Sequence, residues 1–270
     1  MRYLLASLLA LGVGACQSRS APTSPAAPAS PAPAEAAAAA AAVPDSTATV
    51  LALLRQANLA PVWQGSEQAA MDGFFGPDNY RISFHIDSVW RNATQPTVYQ
   101  FRGRDRYKKV ITPFTGTLSV TRLAPLPDTA DLEHRLGRQS YTAFASFELR
   151  EDPAAKGAGH CTGRAALDFQ VDARHQAYPA VFDGIDSGWN NPTKGCGQLF
   201  RGTWQDNRTG RRQPVAWASS FLVIVPDALA DMGLGSRGDE VHPGLARYGW
   251  NNYWENDEWW AASPKPATIL

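Results

Sequence analysis

An excess of positive charge is missing from this chain. Its 25 basic residues are balanced by 25 acidic ones, so no global field attracts it to nucleic acid. Cysteine is scarce, with three in 270 residues, and two thiols beside a lone His160 do not make a set of four zinc ligands. The five histidines (His85, His134, His160, His175 and His242) show no i, i+4 spacing, and no H-E-x-x-H occurs. There is no G-x-S-x-G, no S-x-x-K and no Walker-type loop. No cofactor and no metal are implied. Aromatic residues are what the chain does have: 9 Trp, 11 Phe and 8 Tyr, apolar surface enough to exclude wholesale disorder.

These residues are unevenly spread. Residues 1–44 hold 16 Ala and 6 Pro but no Trp or Phe. Met1 and Arg2 precede an uncharged apolar run, Leu4 to Val13. That run is too short for a membrane span, which needs about 20 residues, and it suits a signal segment. It ends in Val13-Gly14-Ala15-Cys16, which resembles the lipobox of bacterial lipoproteins. The resemblance implies removal of residues 1–15, diacylation of the Cys16 thiol and acylation of the new amino terminus. Gln17 stands where Asp would favour inner-membrane retention, so the resemblance points to the outer membrane, facing the periplasm. Residues 16–44 then read as lipidated Cys16 plus an Ala/Pro-rich tether. Polyproline-like extension at about 3.1 Å per residue gives it a reach on the order of 80 Å.

Residues 45–270 read as one domain, since no second segment of tether-like composition follows. Val50, Leu51 and Leu54 fall at helical spacing, predicting a helix over 46–57 that is stopped by Asn58 and Pro61. Strict alternation follows at Tyr80–Asp87, Phe114–Thr121, Tyr141–Leu149 and Ala165–Asp172. Residues 199–204, 215–225, 97–102 and 245–254 are further strand candidates. Short helical turns are expected at 128–136 and 227–232. Strands without crossover helices imply antiparallel pairing. The expected fold class is therefore all-β, an antiparallel meander barrel or two-sheet sandwich of about 8–10 strands. In pattern alone it resembles lipocalin-like envelope domains. A bulky or sulfur residue two positions before Gly recurs at Gly65, Gly103, Gly116, Gly163 and Gly202, spacings too irregular for a repeat.

Four sets of residues are candidates for function. Cys161 and Cys196, an even pair in an exported domain, are expected to form a disulfide. Arg102, Arg104, Arg106, Lys108 and Lys109 make a basic segment suited either to anionic lipid, phosphate or acidic glycan, or to a solvated turn. Trp250, Tyr253 and Trp254, beside Asn251, Asn252, Glu255 and Asp257, suit either a sugar-stacking platform or a terminal strand packed as core. The Asx-rich run Asp183–Asn191 lacks the spacing of an EF-hand loop. The expected partners are a membrane through the N-terminal lipid and a glycan, lipid or small hydrophobic ligand, with no nucleic acid. The leading expectation is a lipid-anchored envelope binding or structural module. The alternatives are a glycan hydrolase using carboxylates from 183–186 or 239–258, and a ligand-free scaffold.

Overall fold

The alternating runs become strands because each can bury one face. The computed structural model describes residues 46–66, 69–126, 137–180, 191–256, 258–261 and 268–269. Cys16, the tether, the expected helix over 128–136 and residues 183–190 lie outside these. Two short helices, α1 (Ser46–Gln56) and α2 (Ala60–Gln64), lead into β1 (Met71–Phe75), β2 (Tyr80–Arg91), β3 (Val98–Tyr107), β4 (Val110–Pro125) and β5 (Gln139–Glu151). Then come β6 (Gly159–Val171), β7 (Ala177–Pro179), β8 (Gln198–Asp206) and β9 (Arg212–Ala218). The fold is all-β. Strands β1 to β6, β8 and β9 pair antiparallel in chain order, and β9 returns to β1, closing a hydrogen-bonded ring of eight. The short β7 pairs with β6 beyond the end of β8.

Alternation sets the two faces of the ring. Phe84, Phe101, Phe114, Phe147, Phe200 and Trp217 point inward and are buried together. Outward positions such as Arg102, Thr115, Thr117 and Arg150 are polar and exposed, the reverse of a lipid-facing barrel. Among the described residues no helix is long and apolar enough to cross a membrane. The glycines work with the aromatics. Gly103 lies opposite Phe114 and Gly116 opposite Phe101, so each ring lies across the glycine on the facing strand. A Cβ on Gly116 would come within 2.3 Å of the Phe101 ring.

Closure needs bends, and two register irregularities supply them, at Asp87 in β2 and Thr121 in β4. Turns joining β1–β2, β3–β4, β5–β6 and β8–β9 collect at one end of the ring. The other end is covered by the helices. There Trp63 of α2 reaches the Phe200 ring, Leu59 N–H donates to the Tyr99 hydroxyl at 3.4 Å, and Arg91 donates to the Leu54 carbonyl at 2.8 Å. Asn58 and Pro61 do not simply stop a helix. Asn58 Oδ1 accepts from Ala60 N–H at 3.1 Å, and Pro61 sits in the first turn of α2, where a missing N–H costs nothing.

Three sequence expectations change. The apolar run 215–225 is strand only to Ala218; Phe221–Ile224 is a 3-10 turn that folds back on the outside of the ring. Its apolar residues serve two cores, Val215 and Trp217 inside the ring and Ala218, Phe221, Val223 and Ile224 outside it, while Leu222 is exposed. Residues 245–254 are not a strand but a 3-10 turn over Pro243–Tyr248 followed by turns. The face of β6 carrying Asp168 and Gln170 is not solvated: both residues are buried, Asp168 accepting from Asn191 and Thr193 and Gln170 bonding to Arg138 and Ser140.

Candidate functional site

The ring interior is packed side chain against side chain. Trp217 stacks on Phe84 at 4.0 Å and on Phe200 at 4.9 Å, and Phe147 meets it edge-on at 5.3 Å. Toward the turn end the interior becomes polar. Asp105 faces inward between Phe84 and Thr112, is 3% exposed, and leaves Oδ2 without a hydrogen-bond partner. Burial first, and the nearby Glu151 charge second, push its pKa up to about 8. Glu151 is buried too but satisfied: it accepts from Gly159 N–H at 2.6 Å and Trp204 Nε1–H at 2.9 Å. Burial raises its pKa as well. A hydrolytic carboxylate pair must be reached by substrate and water, and these two are sealed.

The expected disulfide is corrected: Cys161 and Cys196 are both free thiols. The ladder gives the reason. Cys161 lies opposite Trp204, while Gln198, two residues beyond Cys196, lies opposite Leu167. Six residues of strand at about 3.3 Å each separate the two levels, against the roughly 4.4–6.8 Å between Cα atoms that a disulfide spans. Cys161 points into the ring, whereas Cys196 Sγ–H donates to the Gln198 carbonyl at 3.2 Å. Burial pushes the Cys161 thiol to about 12 and the Cys196 thiol to about 11, so neither is a thiolate at neutral pH. Alkylation in urea without reductant, followed by peptide mapping, is expected to label both cysteines; a linked 161–196 peptide would overturn the assignment. His160 projects from β6 on the face opposite Cys161 and lies 3.1 Å from Asn207 Oδ1. Among the described residues no three His, Cys, Asp or Glu side chains are grouped to hold a metal ion.

The Trp-rich terminus divides. Trp250 is 2% exposed and packs at 4.9 Å on Phe74 and 4.5 Å on Phe221, in a second core laid over the outside of β1 and β9. It takes the core reading and offers no platform. Tyr253 and Trp254 are half-buried. Arg81 lies over the Tyr253 ring, Arg237 lies over Trp254 at 3.8 Å, and Trp254 Nε1–H donates to the Gly235 and Ser236 carbonyls. Trp259 and Trp260 cover Arg106 and His85.

The basic segment is split by strand alternation. Arg102, Arg104 and Arg106 share the outer face of β3, with Phe101, Gly103 and Asp105 inward. Arg104 is spent on Asp87, with contacts of 2.6 and 3.2 Å. Arg106 lies over Trp259, and Arg102 donates to Ser88 Oγ at 2.9 Å while remaining exposed. Lys108 and Lys109 form the tight β3–β4 turn, at φ 48° and 69°. Asn-Gly is the usual pair in such a turn, and each lysine there carries about 1 kcal/mol of left-handed backbone strain.

Sequence reading missed one residue that the structure puts forward. Trp90 stands on the outer face of β2, 44% exposed, its Nε1–H donating to Gln100 Oε1 at 2.7 Å. A depression of about 440 Å³ lies on one side, bordered by Asn58, Gln64 and Asn92. Another of about 240 Å³ lies on the other, bordered by Thr115, Thr117, Glu148 and Arg150. A flat ring among amides, hydroxyls and ionic groups can stack on one face of a sugar and hydrogen-bond its hydroxyls. The only sequence signal was a Trp just past a clean alternating run. Comparison with protein-family models, with curated proteins and with solved structures finds no match, so the reading of this site rests on its own chemistry.

Proposed function

We propose that this chain is a cell-envelope binding module, held at the membrane by lipid on Cys16 and binding a glycan on the outer face of its β-ring around Trp90. The observation that carries the reading is the exposed Trp90 indole between two polar depressions. The packed interior favours a ligand held outside the ring, and the lipobox resemblance and the tether support a location in the envelope. A binding role is preferred to hydrolysis because the inward carboxylates Asp105 and Glu151 are closed to substrate, and of the two tryptophans suited to a hydrolase platform, Trp250 is core and Trp254 is half-buried under Arg237.

The test is co-sedimentation of the chain with purified envelope glycan strands. Trp90→Ala is expected to weaken retention roughly tenfold, equivalent to about 1.4 kcal/mol, with only a small change in melting temperature, because the indole is 44% exposed and its hydrogen bond to Gln100 lies at the surface. Equal retention of parent and variant would overturn the glycan assignment. In cells, Cys16→Ala is expected to release the protein from the membrane fraction; normal anchoring would overturn the lipid assignment separately.

A further inference from the structure

We infer that the turn end of the ring is a second contact surface, one that docks on an anionic lipid bilayer through the β3–β4 hairpin. Lys108, Lys109, Val110 and Ile111 are four consecutive exposed residues. Val110 is 53% and Ile111 43% exposed, an aliphatic pair placed in water on the first two residues of β4, directly after the two-lysine turn. Tyr107 is paired with Val110 across the hairpin, its ring is 5.5 Å from that of Tyr80, and the Lys108 ammonium lies about 5 Å from each ring. Two lysines at the turn, with exposed aliphatic groups and tyrosines at the strand ends next to them, are the groups that combine at a bilayer interface: cations for the headgroups, aliphatic and phenolic groups for the boundary below.

The exposed charge of the turns at this end agrees. Lys108, Lys109, Lys156, Arg208, Arg211 and Arg212 are all exposed there. The acidic residues of the same turns are Asp78, Asp152 and Asp206. Two of these face their own backbone: Asp152 accepts from Ala154 N–H, and Asp206 from Arg208 and Thr209 N–H. A net positive surface whose lysine turn is flanked by an exposed aliphatic pair complements anionic headgroups over acyl chains. A protein partner would need a flatter, broader apolar area than two side chains provide. The surface is at the end of the ring away from the helices, and the inference stands independently of the glycan reading and of the lipid anchor.

The experiment uses the full chain carrying Cys16→Ala, so that no acylation contributes, in flotation with vesicles of phosphatidylcholine alone or mixed with phosphatidylglycerol. The apolar run at 4–13 is common to every sample, so only differences between variants are read. Binding to the anionic vesicles is expected to exceed that to neutral ones at least tenfold and to fall as salt rises. Lys108→Glu with Lys109→Glu is expected to remove most of that excess, and Val110→Ser with Ile111→Ser to reduce binding several-fold. Circular dichroism checks that the fold survives. Charge-reversed protein that floats like the parent overturns the proposal. So does binding that free inorganic phosphate abolishes while the Val110/Ile111 variant is unaffected, since the site would then read phosphate and not a bilayer.

Discussion

Asp105→Asn is expected to be more stable than the parent at pH 8 and no more stable at pH 5. The folded protein holds the Asp105 carboxyl at about 8, against the ordinary 3.8 of an unfolded aspartate. Between those values the folded state binds a proton that the unfolded chain has released. Stability therefore falls as pH rises through this window: it is full below about pH 4 and lost by about pH 8, at up to about 1.4 kcal/mol per pH unit. The whole window is worth on the order of 5 kcal/mol. Asparagine carries no charge to desolvate but remains a buried amide with an incomplete set of hydrogen bonds, a cost of about 1–3 kcal/mol. The net expectation at pH 8 is a gain of roughly 2–4 kcal/mol. Urea midpoints at pH 5, 6, 7 and 8 read it directly. The parent's curve should slope downward and the variant's should be flatter, because Glu151, raised in the same direction, still titrates in both. Parallel curves would mean that Asp105 reaches water or a partner and is not sealed as described.

Trp217→Ala is expected to cost about 3–5 kcal/mol, the largest loss for a single side chain in this ring. Trp217 is 2% exposed and is held between Phe84, Phe147 and Phe200. Its removal takes away burial, dispersion and three aromatic contacts at once. The neighbours cannot easily collapse into the void. Gly73, directly opposite on β1, lacks a side chain to fill it, and a Cβ placed there would meet the Ala216 carbonyl at 2.0 Å. Against a total stability of roughly 5–15 kcal/mol, such a loss should lower the melting temperature by about 10 °C. A loss below about 1 kcal/mol would show that the interior repacks and is not the rigid stack described here.

The strand faces were legible wherever alternation ran unbroken. Tyr141 to Leu149 reads as one inward face, and it is one. Such legibility ended where a third element covered the outer surface. Asp168 has the sequence look of a solvated strand residue, yet it is 1% exposed and is met by Thr142, Asn191 and Thr193. Asn191 and Thr193 lie more than twenty residues away and follow no local rule. The cysteines failed for a related reason. Pairing two thiols by count ignores the ladder, which sets them at different levels of the ring.

The site depended on register most of all. In β2 the inward set is Ile82, Phe84 and Ile86, and unbroken alternation would have turned residue 90 inward as well. The irregularity at Asp87 shifts the count by one, so Val89 turns inward and Trp90 faces water. The sequence by itself determined the all-β class, the antiparallel order, the leading helix and the composition break near residue 44, because periodicity and composition are local properties. Only the tertiary structure decided that Trp90 is exposed, that two carboxylates are sealed inside and that the lysines stand at a hairpin tip. Those outcomes depend on one extra residue in a strand, on ring closure and on what lies over each face, and long-range contacts alone set them.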